Sequence, residues 1–362
     1  MPGARPCATP IQASSFKAPT RTPPWRQARI IASTHGKSGL HRAGTDRYGN
    51  PAQLKNIVAK QQDVVALGLG ILPEHRQAAH ALLGNALAGG TRGRLIGRIA
   101  SVEGVVARRF AAGQPYDPVR KLASLNAGIS PPTDAVLDGF SQRYRDAMRA
   151  ADLMTLPFYP NWLDWMTEAK TLVADGTPWF SYDVLRHPFA EDDPAEHWIR
   201  GLDGRRVLVV SPLRQSIERQ LDNLDAVYGN LPGLRPAWAS VTVVEAPMTQ
   251  WDSETPGAPQ PNKTWTGHFT DLTREMARHA DDFDVCLLGC GGYGMPVAHF
   301  VKTELDRTAL VFGGALQLLF GIRGARWDQR EPVSKWFTDA WIRPAPAERP
   351  DDWQKIEGGC YW

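Results

Sequence analysis

From Asp282 to Asp328 the chain reads strand, glycine turn, helix, strand, glycine turn, helix. No other stretch limits the fold as much. The short apolar run Asp284–Leu288 leads at once into Gly289-Cys290-Gly291-Gly292-Tyr293-Gly294, and a second run, Thr308–Phe312, ends in Gly313-Gly314 and continues as Ala315–Phe320. Two strands that each end in glycines place two backbone turns at one edge of a parallel sheet, the edge where open α/β sheets bind ligands. A helix that starts straight after such a turn offers unpaired N–H groups and a positive dipole end to an anion. The expectation is a phosphate-bearing ligand held at this edge.

The preceding segments follow the same alternation. Arg206–Val210 reads as a strand, Ser211-Pro212 opens a helical stretch reaching Gly229, Val241–Glu245 is a strand, and Trp265–Ala280 is helical. Further upstream, Gly93–Gly104 predicts a short strand that passes into a helix from Glu103, Thr133 can cap a helix over Asp134–Ala151, and Trp179–Leu185 reads as a strand. Strands alternating with helices predict an α/β fold, a Rossmann-like and mostly parallel sheet with helices on both faces and an added N-terminal helical region. Four parts are expected. Residues 1–50 form a disordered basic segment, 51–200 a helical and α/β part with a helix through Leu54, Ile57 and Val58, 201–343 a Rossmann-like part, and 344–362 a tail that docks on the fold through Tyr361-Trp362.

Charge and composition narrow the function. Residues 1–50 carry eight Lys/Arg and one acid, about +7; the whole chain is +3, so the rest is about −4 and is no nucleic-acid surface. The basic segment suits a transit peptide, an upstream start or contact with anionic lipid at a membrane surface. No apolar run nears the roughly 18–20 residues that span a bilayer. Cys7, Cys286, Cys290 and Cys360 show no metal spacing and fit reduced thiols in a cytoplasmic setting. Several of the thirteen Trp, including Trp162, Trp165, Trp327 and Trp353, stand among polar residues, where an indole can cap the core or line a sugar or nucleotide groove.

Gly289, Gly291 and Gly294, with Gly292 between them, match G-x-G-x-x-G after a strand and before a helix. A nicotinamide dinucleotide also needs an acid at the end of the next strand for the ribose hydroxyls. Here that strand ends Val311-Phe312-Gly313-Gly314. The same lack weakens S-adenosylmethionine binding, so the turn keeps a phosphate logic and loses a ribose one. Ser211 and Ser216, with Arg214 and Arg219 nearby, mark a second anion site or a plain helix cap. Arg323 and Arg326 can neutralise phosphate, and Trp327 can stack on a base or sugar. Glu103, at a strand-to-helix junction, is either a favourable charge at a helix start or a metal ligand or base. Asp152, Asp164, Asp183 and His187 lack ligand spacing and read as solvated groups, and no Ser-His-Asp or Cys-His set emerges.

Taken together, Arg98-Ile99-Ala100-Ser101-Val102-Glu103, Ser211-Pro212, Gly289–Gly294, the run Gly313-Gly314-Ala315-Leu316-Gln317-Leu318-Leu319-Phe320-Gly321-Ile322 with Arg326-Trp327, and the final Cys360-Tyr361-Trp362 resemble an uncharacterised bacterial family associated with surface polysaccharides. That family in turn resembles GT-D-type glycosyltransferases, and the likeness covers about residues 80–362. It implies a sugar nucleotide as donor, transfer to a glycan or polysaccharide acceptor, and a Mn or Mg ion. In GT-D enzymes the first element reads Arg-Phe-Gly-Asp-Gly-Glu, with Asp-x-Glu serving metal and donor. Arg98 and Glu103 match its ends, whereas Ala100 stands for the glycine and Ser101 for the Asp. By this resemblance Arg98 and Glu103 are catalytic, Glu103 also serves a metal, and the glycines, Ser211, Ser216, Gln317, Arg323, Arg326 and Trp327 hold the donor. The alternatives are an NAD- or S-adenosylmethionine-dependent enzyme, or a non-catalytic scaffold that has lost its metal site.

Overall fold

Seven strands form a single all-parallel sheet in the computed structural model, which describes residues 73–362 apart from Thr91, 157–171, His187, 190–191, Pro232 and 253–260. The expectations for residues 1–50, for Leu54–Val58, and for Trp162, Asp164, Trp165 and His187 lie outside the described residues. The strands are β1 (Leu95–Arg98), β2 (Leu153–Leu156), β3 (Trp179–Ser181), β4 (Arg206–Ser211), β5 (Ser240–Glu245), β6 (Val285–Leu288) and β7 (Thr308–Val311). Their spatial order is β3-β2-β1-β7-β6-β4-β5. The longer helices are α1 (Pro73–Leu87), α2 (Ser101–Ala111), α3 (Arg120–Leu125), α4 (Asp134–Arg149), α5 (Arg214–Leu221), α6 (Trp265–Ala277) and α7 (Gly294–Thr303).

Both faces of the sheet are covered, which is why its strands are continuous apolar runs rather than alternating ones. Along β4, Leu208 and Val210 enter one core with Tyr144, Trp265 and Val297 from α4, α6 and α7. Val207 and Val209 enter the other with Leu83 of α1, Trp198, Ile217 of α5 and Phe320. Thr133 and Thr264 cap α4 and α6, their hydroxyl oxygens accepting from the N–H groups of Val136 and Gly267. Trp265 shows how the first core is locked. Its ring stacks on Phe269 and Tyr293 and meets Phe140 edge-on, and its backbone N–H donates to Ser130 O at 2.6 Å. Among the described residues no helix is long and apolar enough to cross a membrane.

The strand order sets the position of the site. Residues before position 200 supply β1–β3, later residues supply β4–β7, and the two groups join where β1 pairs with β7, Leu95 beside Ala309 and Ile96 beside Leu310. The segment after β1 packs into the first core through Val106 and Ala107, and the segment after β7 into the second through Ala315 and Leu316, so the two leave toward opposite faces and a crevice opens at the C-terminal ends of the strands. Two local expectations need correction. The strand expected over Trp179–Leu185 stops at Ser181 and turns into a helical turn, Asp183–Arg186, whose Val184 and Leu185 pack into the second core. The segment Gly313–Phe320 is a 3-10 helix, and it closes on Gly321 in the left-handed conformation.

Candidate active site

The crevice between β1 and β7 is built around two glycines. Arg98 is the last residue of β1, and its Nη1 lies 2.1 Å from where a Cβ on Gly313 would stand. Any side chain there would expel the guanidinium, and the φ of +74° at Gly313 disfavours one in any case. Arg98 also sits over the Tyr182 ring at 4.4 Å, and the Tyr182 hydroxyl donates to Phe312 O at 3.2 Å. Gly314 does the same on its other side, where its missing Cβ leaves room for the Tyr361 ring and for Arg326 Nη1. The double glycine therefore seats one guanidinium from each end of the chain.

The tail holds Arg326 in place. Its Nη2 donates to the Glu357 carboxylate and to Cys360 Sγ, and its guanidinium lies over the Tyr361 ring at 4.5 Å. The Tyr361 hydroxyl donates to Glu357 Oε2 at 3.2 Å. Backbone bonds from Ala325 N to Trp362 O and from Arg326 N to Cys360 O fasten the hook, and Trp362 Nε1 donates to Glu348 O at 2.9 Å. Glu357, Gly358 and Gly359 all have positive φ, 48°, 70° and 70°. For the two glycines this is cheap; for Glu357 it is strain, of the kind that persists where surrounding contacts over-determine a residue. Gln317 Nε2 bridges Ile322 O and Tyr361 O, which ties the 3-10 helix to the hook.

Glu103 stands at the third position of α2 and is only 8% exposed. Burial pushes its carboxyl above the usual glutamate range; its own backbone N–H and the charge of Arg98 oppose the rise, and the charge of Glu357 adds to it. Tyr144 of α4 is pushed up chiefly by burial, with the charge of Glu103 adding. Arg98, Glu103, Glu357, Arg326 and Tyr361 thus form one electrostatic neighbourhood, with two cations and two acids. A buried carboxyl with a raised pKa takes up a proton more readily than a free glutamate does.

The first glycine turn, Gly289–Gly294, is used for packing. Gly292 N–H donates to Ala127 O at 3.0 Å, Tyr293 N–H to Cys290 O, and the Gly294 N–H to Gly291 O. Those groups are the ones a phosphate would have used at the start of α7. A Cβ on Gly292 would lie 2.6 Å from Ala127 O, and one on Gly289 2.8 Å from Leu316 Cδ2. Gly294 abuts Val311, and Gly291 has a positive φ of 53°. The loop before α4 occupies the place where a dinucleotide phosphate would sit.

At the end of β4 an anion is already present, and it belongs to the chain. Glu348 accepts from Ser216 N at 3.0 Å and from the Ser216 hydroxyl, while the Ser211 hydroxyl oxygen accepts from Leu213 N at 3.2 Å. Glu348→Ala should leave the buried Ser216 N–H and hydroxyl proton without their acceptor, although the hydroxyl oxygen still accepts from Ala345 N, and cost about 1–3 kcal/mol, read as a lower urea midpoint. Trp327 is 1% exposed beneath Arg330, so its indole has no face for a base. Arg323 lies over Phe337 at 5.7 Å.

A divalent cation finds a poor donor set here. Ser101 is exposed, and the carboxylates that feel one another, Glu103 and Glu357, are met by Arg98 and Arg326, whose charges repel a cation. Three potential ligands do converge elsewhere, at His80, Asp192 and His197. However, His80 Nδ1 accepts from Trp198 N and His197 Nδ1 from Ile199 N, both at 3.2 Å. An Nδ1 acceptor leaves the proton on Nε2, the atom a metal would need. Asp152, weighed above as a ligand, instead accepts from Leu95 N at 2.7 Å and pairs with Lys302.

Sequence reasoning missed Glu357, Tyr182, Glu348 and the strand β2. The acid directly before Gly358-Gly359 was the available signal for Glu357, since left-handed glycines mark a turn made for a purpose.

No family profile and no curated protein matches the chain. Among solved structures it is similar to a new glycosyltransferase (DUF1792) from Streptococcus sanguinis, 13% identical with a TM-score of 0.40 over 66% of this chain and 80% of that one. It is likewise similar to a selenomethionine-substituted domain of unknown function 1792, 11% identical with a TM-score of 0.38 over 67% of this chain and 82% of that one.

Proposed function

We propose that the chain is a glycosyltransferase-like enzyme that binds a sugar nucleotide at the β1/β7 crevice and transfers the sugar to a glycan acceptor. The observation that carries this reading is the seating of Arg98 and Arg326 on either side of Gly313-Gly314, with the buried Glu103 beside them. Two guanidinium groups meet the main electrostatic demand of the reaction, which is stabilising negative charge on the departing nucleoside diphosphate. Arg326 can make that contact with a phosphate in the place now taken by the Glu357 carboxylate. Glu103 accepts the proton of the acceptor hydroxyl, its elevated pKa bringing its proton affinity closer to that of a general base at neutral pH. The Gly313 and Gly314 positions, rather than Gly289–Gly294, set the phosphate subsite. Arg98 and Arg326, rather than a divalent cation, meet the charge of the leaving diphosphate in this reading. A cytoplasmic location and contact with a membrane surface belong to the same proposal, the first supported by the buried free thiols of Cys286 and Cys290.

A thermal-shift screen tests the reading. Sugar nucleotides and free nucleoside diphosphates should raise the melting temperature, and should do so in the presence of a chelator. Stabilisation by NAD or S-adenosylmethionine alone would refute the proposal, and no response to any ligand would favour a scaffold.

A further inference from the structure

The two edges of the sheet are unlike. β3 closes one side with three residues, a short template for any other strand. β5 closes the other with six residues, Ser240-Val241-Thr242-Val243-Val244-Glu245, paired with β4 at every position and free of Pro and Lys. These are the residues by which exposed edges are usually blunted. Among the described residues no strand pairs with its outer side. Ala246 N donates to Ser211 O at 3.1 Å. Alternation along the strand then turns the peptide groups of Thr242 and Val244 toward β4 and those of Val241, Val243 and Glu245 outward. A groove of about 550 Å³ runs along Val241–Glu245 beneath Glu218, Leu221 and Glu275. It shares Leu221 and Val241 with a second groove that ends at Arg235 and Trp238.

We propose that this edge is a two-fold interface at which β5 pairs antiparallel with β5 of a second copy of the chain. The parity of the outward groups leaves few registers. A dyad at Val243 sets Val243 against its own symmetry mate and Val241 against the second copy's Glu245, each as a hydrogen-bonded pair, for about six N–H···O bonds in all. Charge favours the same arrangement. One end of the groove carries Glu245 and Glu275 beside the Arg214–Glu218 pair, and the other end carries Arg235, which pairs with Asp225 at 2.8 Å. The dyad sets Glu245 near the second copy's Arg235, whose guanidinium can then be shared between its own Asp225 and that carboxylate. A surface that complements itself end to end is what an isologous contact requires.

Sedimentation equilibrium of the full chain at micromolar concentration tests this, with far-UV circular dichroism as the control for folding. The wild type is expected at twice the chain mass. Val243→Pro removes an outward N–H that β4 does not use, and is expected to give a monomer with an unchanged spectrum. Glu245→Arg and Arg235→Glu should each weaken dimerisation by about tenfold, and the double exchange should restore it. If Val243→Pro does not fold, the charge exchange decides. A monomeric wild type, or a dimer that none of these changes weakens, overturns the proposal.

Discussion

Glu103→Gln is expected to lower sugar transfer by about 10²–10⁴-fold and at the same time to raise the melting temperature at neutral pH. The two effects have one origin. Burial raises the pKa of Glu103 in the folded chain above its ordinary value of 4.5. The native state therefore binds this proton more tightly than the unfolded state. Stability from this group is fully present below the unfolded value and is lost as pH rises through the raised folded value. A neutral glutamine escapes that loss. The gain in melting temperature should thus be largest at neutral and alkaline pH, and should vanish in acid. On the activity side, kcat/KM of the wild type should fall on an acid limb lying above the normal glutamate range, and the residual activity of the variant should lack that limb. A collapse in melting temperature would instead mean that Glu103 is a structural group at the start of α2.

Arg326→Ala is the second large effect. Removing it takes the guanidinium from the Glu357 carboxylate and from the Tyr361 ring together. Because Glu357 is exposed, loss of the ion pair costs about 0.2–1 kcal/mol, loss of the contact with the Tyr361 ring adds about 0.5–1 kcal/mol, and the same deletion removes a phosphate contact from the donor. A double change separates the two. In Arg326→Ala with Glu357→Gln, the orphaned carboxylate is gone, so stability should return toward the wild type while affinity for nucleoside diphosphate stays low. If affinity also returns, Arg326 serves only to hold the hook, and the phosphate subsite lies elsewhere.

The fold class was legible because it is written in local patterns. The apolar runs of β4 through β7 and the glycines after β6 and β7 identify a parallel sheet without any knowledge of distant contacts. β2 was not legible. Its Leu153–Leu156 is four residues long and becomes a strand only between β1 and β3. The two glycine motifs looked alike in sequence and differ in use. Gly292 is consumed by Ala127, more than a hundred and fifty residues earlier, whereas Gly313 receives Arg98 from more than two hundred residues earlier. Which partner fills the space above a glycine is a tertiary fact. The groups read as an anion site at Ser211–Ser216 are met by Glu348 of the same chain. Trp327 is a plain misreading, since polar neighbours in sequence did not prevent burial among Ala315–Ile322 and Val333.

The pairing of β1 with β7 also dictates a timetable. β1 is made early, yet the strand beside it, with Ala309 opposite Leu95, lies some two hundred residues further on. At about 5–20 residues per second a ribosome needs roughly 10–40 s to supply it. During that interval β1 carries an open apolar edge, and contacts between residues so far apart in the chain form slowly even once both are present. The β1/β7 seam is therefore the last part of the sheet to come into being. The first three strands stay exposed until β7 is made, and yield on overexpression should be limited by that wait rather than by the stability of the finished fold.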